Sequence, residues 1–366
     1  MYKCLLFTIF VLCAFSCARE VNENARIQEE RLLHARIQTK YLDTLHKTES
    51  GIYYMIQAKG SGKAVEKECY VYVRSSTFDF FNEECMWGQE TPAYPTYDYY
   101  DYYGYSYGGG SGETKLLTSD ERVAKQLGYF SHATYYGPHL WFVGWNSLME
   151  GIEEVVLMMR EGDKRRIWIP SWLTSFGFSG STNKYAVTTI HDVEVLRVVS
   201  DIEKFQIDSL ESYRDRYYPG LDSLSYGFYK KTLVEGTGDT LKEGNRVNIS
   251  YITRLLDHFI VDLNIADTAK KYNMYNSSAY IPLAGECKED ETVEIIGDDG
   301  NATPMVAGFS KAIFTMKHGE EAVVFFYSEL GYGAGNSNDY LGKMQPYSPL
   351  LFYIKVERTN WEDDDV

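Results

Sequence analysis

The sequence of 366 residues predicts an α+β fold in which one domain occurs twice. Two observations indicate this fold. Segments of alternating apolar and polar residues, typical of half-buried strands, are interspersed with short helical segments in each half of the chain. Three sequence blocks also recur in the same order, at a spacing far above the roughly 20–50 residues of a solenoid repeat. A helix before the first copy and a linker helix between the copies complete the predicted architecture.

The repeated blocks align without gaps. In the first block, Gly60 corresponds to Gly236 and Val71 to Val247, so a Gly-x-Gly turn leads into an alternating strand in both copies. The other two blocks pair residues 123–126 with 268–271 and residues 151–169 with 308–326. This order predicts a first domain at 51–199, a second domain at 226–360 and an acidic tail at 361–366.

The N-terminus predicts export and membrane attachment. Lys3 precedes an apolar run from Leu5 to Ala14, which is shorter than the ~20 residues that span a bilayer. The small residues before Cys17 resemble the cleavage box of a bacterial lipoprotein, which implies that residues 1–16 are removed and Cys17 is acylated. The expected location is the bacterial cell envelope, anchored by lipid in the outer membrane. An ordinary signal peptide that is cut nearby is the alternative.

Charge and cysteine content restrict the function further. A net charge of −16 opposes binding to nucleic acid or to an anionic membrane surface. After removal of the signal and acylation of Cys17, three cysteines remain, namely Cys69, Cys85 and Cys287. This odd number argues against a disulfide framework. A Cys69–Cys85 bridge and free buried thiols both stay open.

Helices are predicted on either side of the first domain. Residues 17–50 form the anchor and a stalk, in which Leu33 and Ile37 recur at near-helical spacing, and we expect a solvated helix that holds the body away from the membrane. Residues 200–225 form a linker helix. Its predicted start is a capping box from Ser200 to Glu203, and Pro219-Gly220 ends it.

The first copy contains an insertion at 80–112 that is rich in tyrosine and glycine. Residues 97–107 are mostly Tyr, and residues 108–112 are nearly all Gly without the following Lys-Ser/Thr of a phosphate-binding loop. The composition predicts a flexible loop. A tyrosine surface that contacts a ligand is the alternative.

Three segments of the second copy resemble the FKBP-type peptidyl-prolyl isomerase family. Residues 305–319 resemble its Val-Ile-x-Gly-Trp/Phe…Met-x-x-Gly segment, residues 327–333 its Ala-Tyr-Gly turn, and residues 349–356 its closing strand. The segments follow the family's order through most of 226–360. The resemblance implies two FKBP-like domains, each a strongly curved antiparallel sheet wrapped on a short helix.

The resemblance also implies a substrate pocket in the second copy. The positions implied as catalytic are Asp262, Tyr332 and Phe309. The positions implied as substrate-binding are Tyr251, Val261, Met305, Val306, Met344 and Phe352. Val261 departs from the family, which usually has Phe there, and the lost ring widens the cavity. The first copy departs at nearly every pocket position, with Ser75, Leu117, Ile152 and Ser175 at the places of Tyr251, Asp262, Phe309 and Tyr332, so we expect it to be non-catalytic.

The implied reaction is rotation about X–Pro bonds of exported or envelope proteins. The barrier is ~18–20 kcal/mol, and no covalent bond is made, so the reaction requires no nucleophile, metal or cofactor. A dry aromatic cavity favours the twisted amide over the planar one, which has more charge separation. The alternative function is a non-catalytic chaperone or scaffold lipoprotein of an envelope assembly. The expected partners are proline-containing polypeptides and other envelope proteins.

Overall fold

The computed structural model describes residues 26–41, 45–80, 121–126, 130, 135–145, 147–173, 188–274, 280–297, 300–334 and 344–358. The chain divides into an N-terminal unit, Met1–Tyr129 with Tyr136–Ser200, and a C-terminal unit, Phe130–Tyr135 with Asp201–Val366. Several sequence predictions lie outside the described residues, namely those on the signal segment, Cys17, Cys85, Leu117, Ser175, the insertion from residue 81 onward and the acidic tail.

The N-terminal unit contains a six-stranded antiparallel sheet in the order β1-β2-β5-β6-β3-β4. Its strands are β1 His46–Lys47, β2 Tyr53–Ala58, β3 Cys69–Asp79, β4 His139–Val143, β5 Lys164–Ile169 and β6 Thr189–Val199. Its helices are α1 at 26–41, α2 Glu121–Gln126, α3 Glu150–Val156 and a 3-10 turn at Ser171–Leu173. Among the described residues of the chain, no helix is long and apolar enough to cross a membrane.

The C-terminal unit contains a larger antiparallel sheet in the order β13-β12-β11-β9-β16-β15-β7, with β10 paired to β9. The strands of the unit are β7 Phe228–Val234, β8 Thr237–Thr240, β9 Arg246–Arg254, β10 Ile260–Leu263, β11 Leu283–Cys287, β12 Val293–Ile296, β13 Ala302–Pro304, β14 Lys317–His318, β15 Glu321–Phe326 and β16 Leu350–Arg358. Of these, β8 and β14 pair with each other in a separate two-stranded sheet. Its helices are α4 Ile202–Tyr217, α5 Ala266–Lys271, α6 Ala307–Ile313 and a 3-10 turn at Ser328–Leu330.

The two sheets share one strand order, as the sequence repeats suggest. The order β2-β5-β6-β3-β4 in the first unit corresponds to β7-β15-β16-β9-β11 in the second. The turns that precede β5 and β15 contain Gly162 and Gly319, and both glycines have positive φ, +88° and +77°. A glycine adopts this conformation without strain, which explains why both copies have one there.

A short helix packs on the inner face of each sheet, at a contact that only glycine permits. A Cβ atom on Gly308 of α6 would lie 2.5 Å from ring carbons of Phe326, and one on Gly151 of α3 would lie 2.5 Å from Ile169. Around α6 the inner-face residues Val324, Phe326 and Phe352 form the main hydrophobic core of the C-terminal unit. The repeated glycines therefore bring each helix close to its sheet.

Helix α1 differs from the solvated stalk that the sequence predicted. Leu33 and Ile37 are 1% and 5% exposed, and they pack with Tyr53, Trp168 and Ile190 on the outer face of the N-terminal sheet. This position explains the near-helical spacing of the two apolar residues, which face protein rather than water. Residues 26–41 are therefore part of the N-terminal unit.

Helix α4 has the same relation to the C-terminal sheet. Leu210 and Tyr213 pack against Tyr229, Phe325 and Leu351 on its outer face. The helix therefore belongs to the C-terminal unit, which begins at Asp201, and is not a linker between units. Its N-cap also differs from the predicted Ser200, because the side chain of Asp201 accepts from the backbone N–H of Lys204 at 2.9 Å.

Both described cysteines outside the predicted signal carry free thiols. Cys69 and Cys287 are buried, and the thiol of Cys69 donates to the carbonyl oxygen of Glu66 at 3.0 Å. Since Cys69 is free in this structure, the structure contains no Cys69–Cys85 bridge.

Candidate active site

Residues from six elements and loops meet at the inner face of the C-terminal sheet. Four of the nine pocket residues implied by the sequence are members of one hydrophobic cluster, namely Val261, Phe309, Met344 and Phe352, and Tyr251 is half-buried against it. Met305, Val306 and Tyr332 are half-buried and pack against the same cluster. Asp262 is half-buried and joins the cluster through a hydrogen bond to Tyr251. The structure therefore brings all nine predicted side chains together.

A β-bulge in β10 explains how two consecutive residues face this site. The pairing of β10 with β9 shifts between Ile260 and Asp262. In a regular strand, neighbouring side chains point to opposite faces, whereas a bulge inserts one extra residue. Ile260 and Leu263 thus pack in a cluster on the outer side, while Val261 and Asp262 between them both reach the inner side.

Asp262 and Tyr251 form the polar edge of the site. The Tyr251 hydroxyl donates to Asp262 Oδ2 at 2.6 Å, and the backbone N–H of Leu263 donates to Asp262 Oδ1 at 2.8 Å. Both carboxylate oxygens therefore have a donor, as a half-buried charge requires. The pair fixes the orientation of the tyrosine ring, which then forms one wall of the site.

Two phenylalanine rings, those of Phe309 and Phe352, form the apolar floor. Phe309 is fully buried, and its ring lies edge-to-face with Phe352 at a centroid distance of 5.2 Å and with Tyr251 at 6.1 Å. Phe326 stacks behind Phe352 at 5.7 Å. Edge-to-face pairs of this kind add roughly 0.5–1.5 kcal/mol each beyond the burial of their surface. Phe309 and Phe352 are 0% and 3% exposed, so the floor is almost fully buried.

The start of α6 presents a backbone donor beside this floor. Val306 is the N-cap residue of α6, and the preceding Met305 donates its N–H to the carbonyl oxygen of Val293 at 2.9 Å. Within the described part of the chain, no group accepts from the N–H of Val306. This amide can therefore bind a carbonyl oxygen of a ligand.

The turn that carries Tyr332 is closed by backbone hydrogen bonds. The carbonyl oxygen of Ser328 accepts from the N–H groups of Gly331 and Gly333, at 2.8 and 2.7 Å. These two bonds lie on either side of Tyr332 in the sequence. They hold the tyrosine where its ring packs against the hydrophobic cluster.

Tyr135 also packs on this cluster, and sequence reasoning did not identify it. Its ring lies edge-to-face with Phe259 at 5.1 Å, two residues before Val261, and it is half-buried against the core of the C-terminal unit. Tyr135 lies more than a hundred residues before the pocket motifs in the sequence. No local pattern around Tyr135 indicates the contact.

At the two corresponding positions that the structure describes, the N-terminal unit has neither the phenylalanine nor the tyrosine. Ile152 takes the place of Phe309 on α3 and is 5% exposed within an aliphatic core. Ser75, in the place of Tyr251, lies in β3 opposite Val193. In the described residues, neither unit has three His, Cys, Asp or Glu side chains that could hold a metal ion. The aromatic floor with polar groups at its edge thus belongs to the C-terminal unit.

Comparison with known proteins agrees with this placement. Residues 238–357 match the family model described as FKBP-type peptidyl-prolyl cis-trans isomerase. No curated protein sequence matches the chain significantly.

Several solved structures are similar to the chain at low identity. The three FKBP domains of wheat FKBP73 are 15% identical, covering 85% of this chain and 95% of that chain with a TM-score of 0.27. A peptidyl-prolyl cis-trans isomerase from Pseudomonas syringae pv. tomato is 20% identical, covering 42% and 92% with a TM-score of 0.29. FkpA from Escherichia coli is 16% identical, covering 53% and 70% with a TM-score of 0.29. The match to the FKBP-type peptidyl-prolyl cis-trans isomerase family model lies entirely within the C-terminal unit.

Proposed function

We propose that the C-terminal unit binds proline-containing polypeptides at this site and catalyses cis–trans isomerisation of their X–Pro bonds. The observation that carries the proposal is the combination of a buried aromatic floor with hydrogen-bonding groups at its edge. The floor consists of Phe309 and Phe352, and the edge groups are Tyr251–Asp262, Tyr332 and the N–H of Val306.

Because the reaction makes and breaks no covalent bond, the protein needs to supply only a suitable environment and no reactive group. A planar amide has more charge separation than a twisted one, so a water-poor apolar cavity raises the planar ground state relative to the transition state. We expect a proline ring to pack over Phe309 and Phe352, which are 0% and 3% exposed in this structure. The Val306 N–H and the Tyr332 hydroxyl donate to substrate carbonyl oxygens, which holds the chain on both sides of the bond while it rotates.

A non-catalytic function as chaperone or scaffold is the second candidate, and one contact favours it. Tyr135 packs on the core cluster next to Phe259, so a side chain of the protein already covers part of the inner face. Val261 also offers less apolar surface for contact with a substrate than an aromatic residue would. If the site binds proline peptides without accelerating isomerisation, this second function explains the geometry better.

Substitution of the polar edge tests the first function. In a protease-coupled assay with a proline-containing tetrapeptide and the full chain, Tyr332→Phe is expected to lower kcat/KM about three- to tenfold, the value of one neutral hydrogen bond. Asp262→Ala is expected to lower it by roughly tenfold or more, because it leaves the Tyr251 hydroxyl without its acceptor.

Asp267→Ala is the matched control, because this carboxylate is 98% exposed on α5. It is expected to leave kcat/KM unchanged. Thermal unfolding of each variant separates loss of activity from loss of fold. Full activity in both edge variants would refute the placement of the site, and an inactive wild-type protein that still binds the peptide would support the scaffold function.

We also propose that the protein acts in the bacterial cell envelope, anchored through acylated Cys17. The support is the apolar segment that precedes Cys17 in the sequence. Cys17→Ala is expected to move the protein from the membrane fraction to the soluble fraction in cell fractionation. A variant that stays with the membrane would argue against acylation as the anchor.

A further inference from the structure

One buried hydrogen bond ties helix α4 to the turn that carries Tyr332. Gln206 Oε1 accepts from the backbone N–H of Ser328 at 2.7 Å. Gln206 is 2% exposed and Ser328 is fully buried. Burial of an amide side chain costs free energy unless the amide is hydrogen-bonded, so this bond explains a glutamine on the face of α4 that packs on the sheet.

Ser328 connects this bond to Tyr332. It is the first residue of its 3-10 turn, so its N–H has no acceptor within the turn, and Gln206 supplies one. Its carbonyl oxygen accepts from Gly331 and Gly333. The residues on both sides of Tyr332 are thus held by Ser328, and Ser328 is held by α4.

The N-terminal unit contains an equivalent contact. Glu29 Oε1 accepts from the backbone N–H of Ser171 at 2.9 Å, and the Glu29 carboxylate also accepts from the hydroxyls of Ser171 and Thr188. Glu29 lies four residues before the buried Leu33, as Gln206 lies four residues before the buried Leu210. Ser171 begins the 3-10 turn after β5, as Ser328 begins the turn after β15. A bond from the preceding helix to this turn is therefore a repeated part of the architecture.

We propose that Gln206 is a positioning residue for Tyr332, which it places over the aromatic floor through Ser328. The proposal rests on the proposed function, because the position of the phenol affects turnover only if substrate binds there. Gln206 lies on the outer side of the sheet with α4 and acts through the turn. Its removal should therefore change the rate of the reaction through Tyr332 alone.

The test uses the full chain, with two readouts. Gln206→Met keeps the length of the side chain and removes the acceptor, whereas Gln206→Glu retains an acceptor, as Glu29 does. Hydrogen exchange measured by mass spectrometry reports on the turn at 328–334, and kcat/KM is measured with Tyr332 intact and with Tyr332→Phe. Glu29→Met is the control in the N-terminal unit, where it breaks the equivalent bond together with the bonds from the hydroxyls of Ser171 and Thr188.

Gln206→Met is expected to accelerate exchange at 328–334 about tenfold, with little change in β16, and to lower kcat/KM about three- to tenfold. In the Tyr332→Phe background the same change should have an effect of less than about twofold. Gln206→Glu should retain more activity than Gln206→Met, because the carboxylate still accepts from Ser328, although burial of its charge lowers the stability of the unit. Glu29→Met should accelerate exchange at 171–173 and leave both 328–334 and kcat/KM unchanged.

Unchanged exchange at 328–334, or equal losses of kcat/KM in both backgrounds, would overturn the proposal. A wild-type protein without isomerase activity would refute the proposed function instead. In that case the affinity for the proline peptide is measured in place of kcat/KM for Gln206→Met, with Tyr332 intact and with Tyr332→Phe. Equal losses of affinity in the two backgrounds would then overturn the positioning role.

Discussion

Leu33→Ala is expected to lower the free energy of unfolding of the N-terminal unit by about 3 kcal/mol, which is among the largest effects that a single substitution in this chain should have. Leu33 is 1% exposed between α1 and the outer face of the sheet, beside Trp168. Truncation removes buried apolar surface and leaves a cavity, and both effects destabilise the fold. Urea unfolding followed by tryptophan fluorescence measures the change.

The adjacent leucine provides the control. Leu32 is 48% exposed on the same helix, so Leu32→Ala is expected to change the free energy of unfolding by no more than about 0.5 kcal/mol. The two variants have the same composition and the same helix propensity. Equal stabilities of the two variants would mean that α1 does not pack on the sheet in solution.

Gly308→Ala is expected to destabilise the C-terminal unit by about 2 kcal/mol, although alanine is the better helix former. In an exposed helix this change stabilises by up to about 1 kcal/mol. In α6 the new Cβ would lie 2.5–2.6 Å from three ring carbons of Phe326, which is fully buried. Either the ring or the helix has to move, and such overpacking costs about 1–3 kcal/mol.

A second substitution identifies the cause of that loss. Phe326→Leu removes the ring, so Gly308→Ala in the Phe326→Leu background should cost much less than in the wild type. Urea unfolding of the four proteins in this double-mutant cycle gives the coupling energy. Additive losses would show that Phe326 is not what excludes a side chain at residue 308.

The repeats and the inner face of the second sheet were predictable from sequence because their signals are local. Strand alternation places Val324 and Phe326 on one side, and the glycines that begin the short helices recur at matching positions. The resemblance then indicated the nine residues that the structure brings together. Their roles in binding and turnover remain predictions.

The outer faces and the contact of Tyr135 were not predictable, because they depend on pairings between distant segments. The apolar stripe of α1 indicates an amphipathic helix but does not name the surface it covers. Val323 and Phe325 likewise interrupt the alternation in β15, since both faces of that strand are buried. The bulge at Val261 has no sequence signal that we recognise.

The position of α4 on the C-terminal sheet determines where the gene can be divided. A fragment that starts at residue 226 would expose Tyr229, Phe325 and Leu351 to solvent. Such an exposed apolar surface promotes aggregation. A fragment that starts at residue 200 retains α4, which covers this apolar surface. The smallest fragment suited to separate expression therefore includes α4. Aggregation of a shorter fragment would carry no information about catalysis.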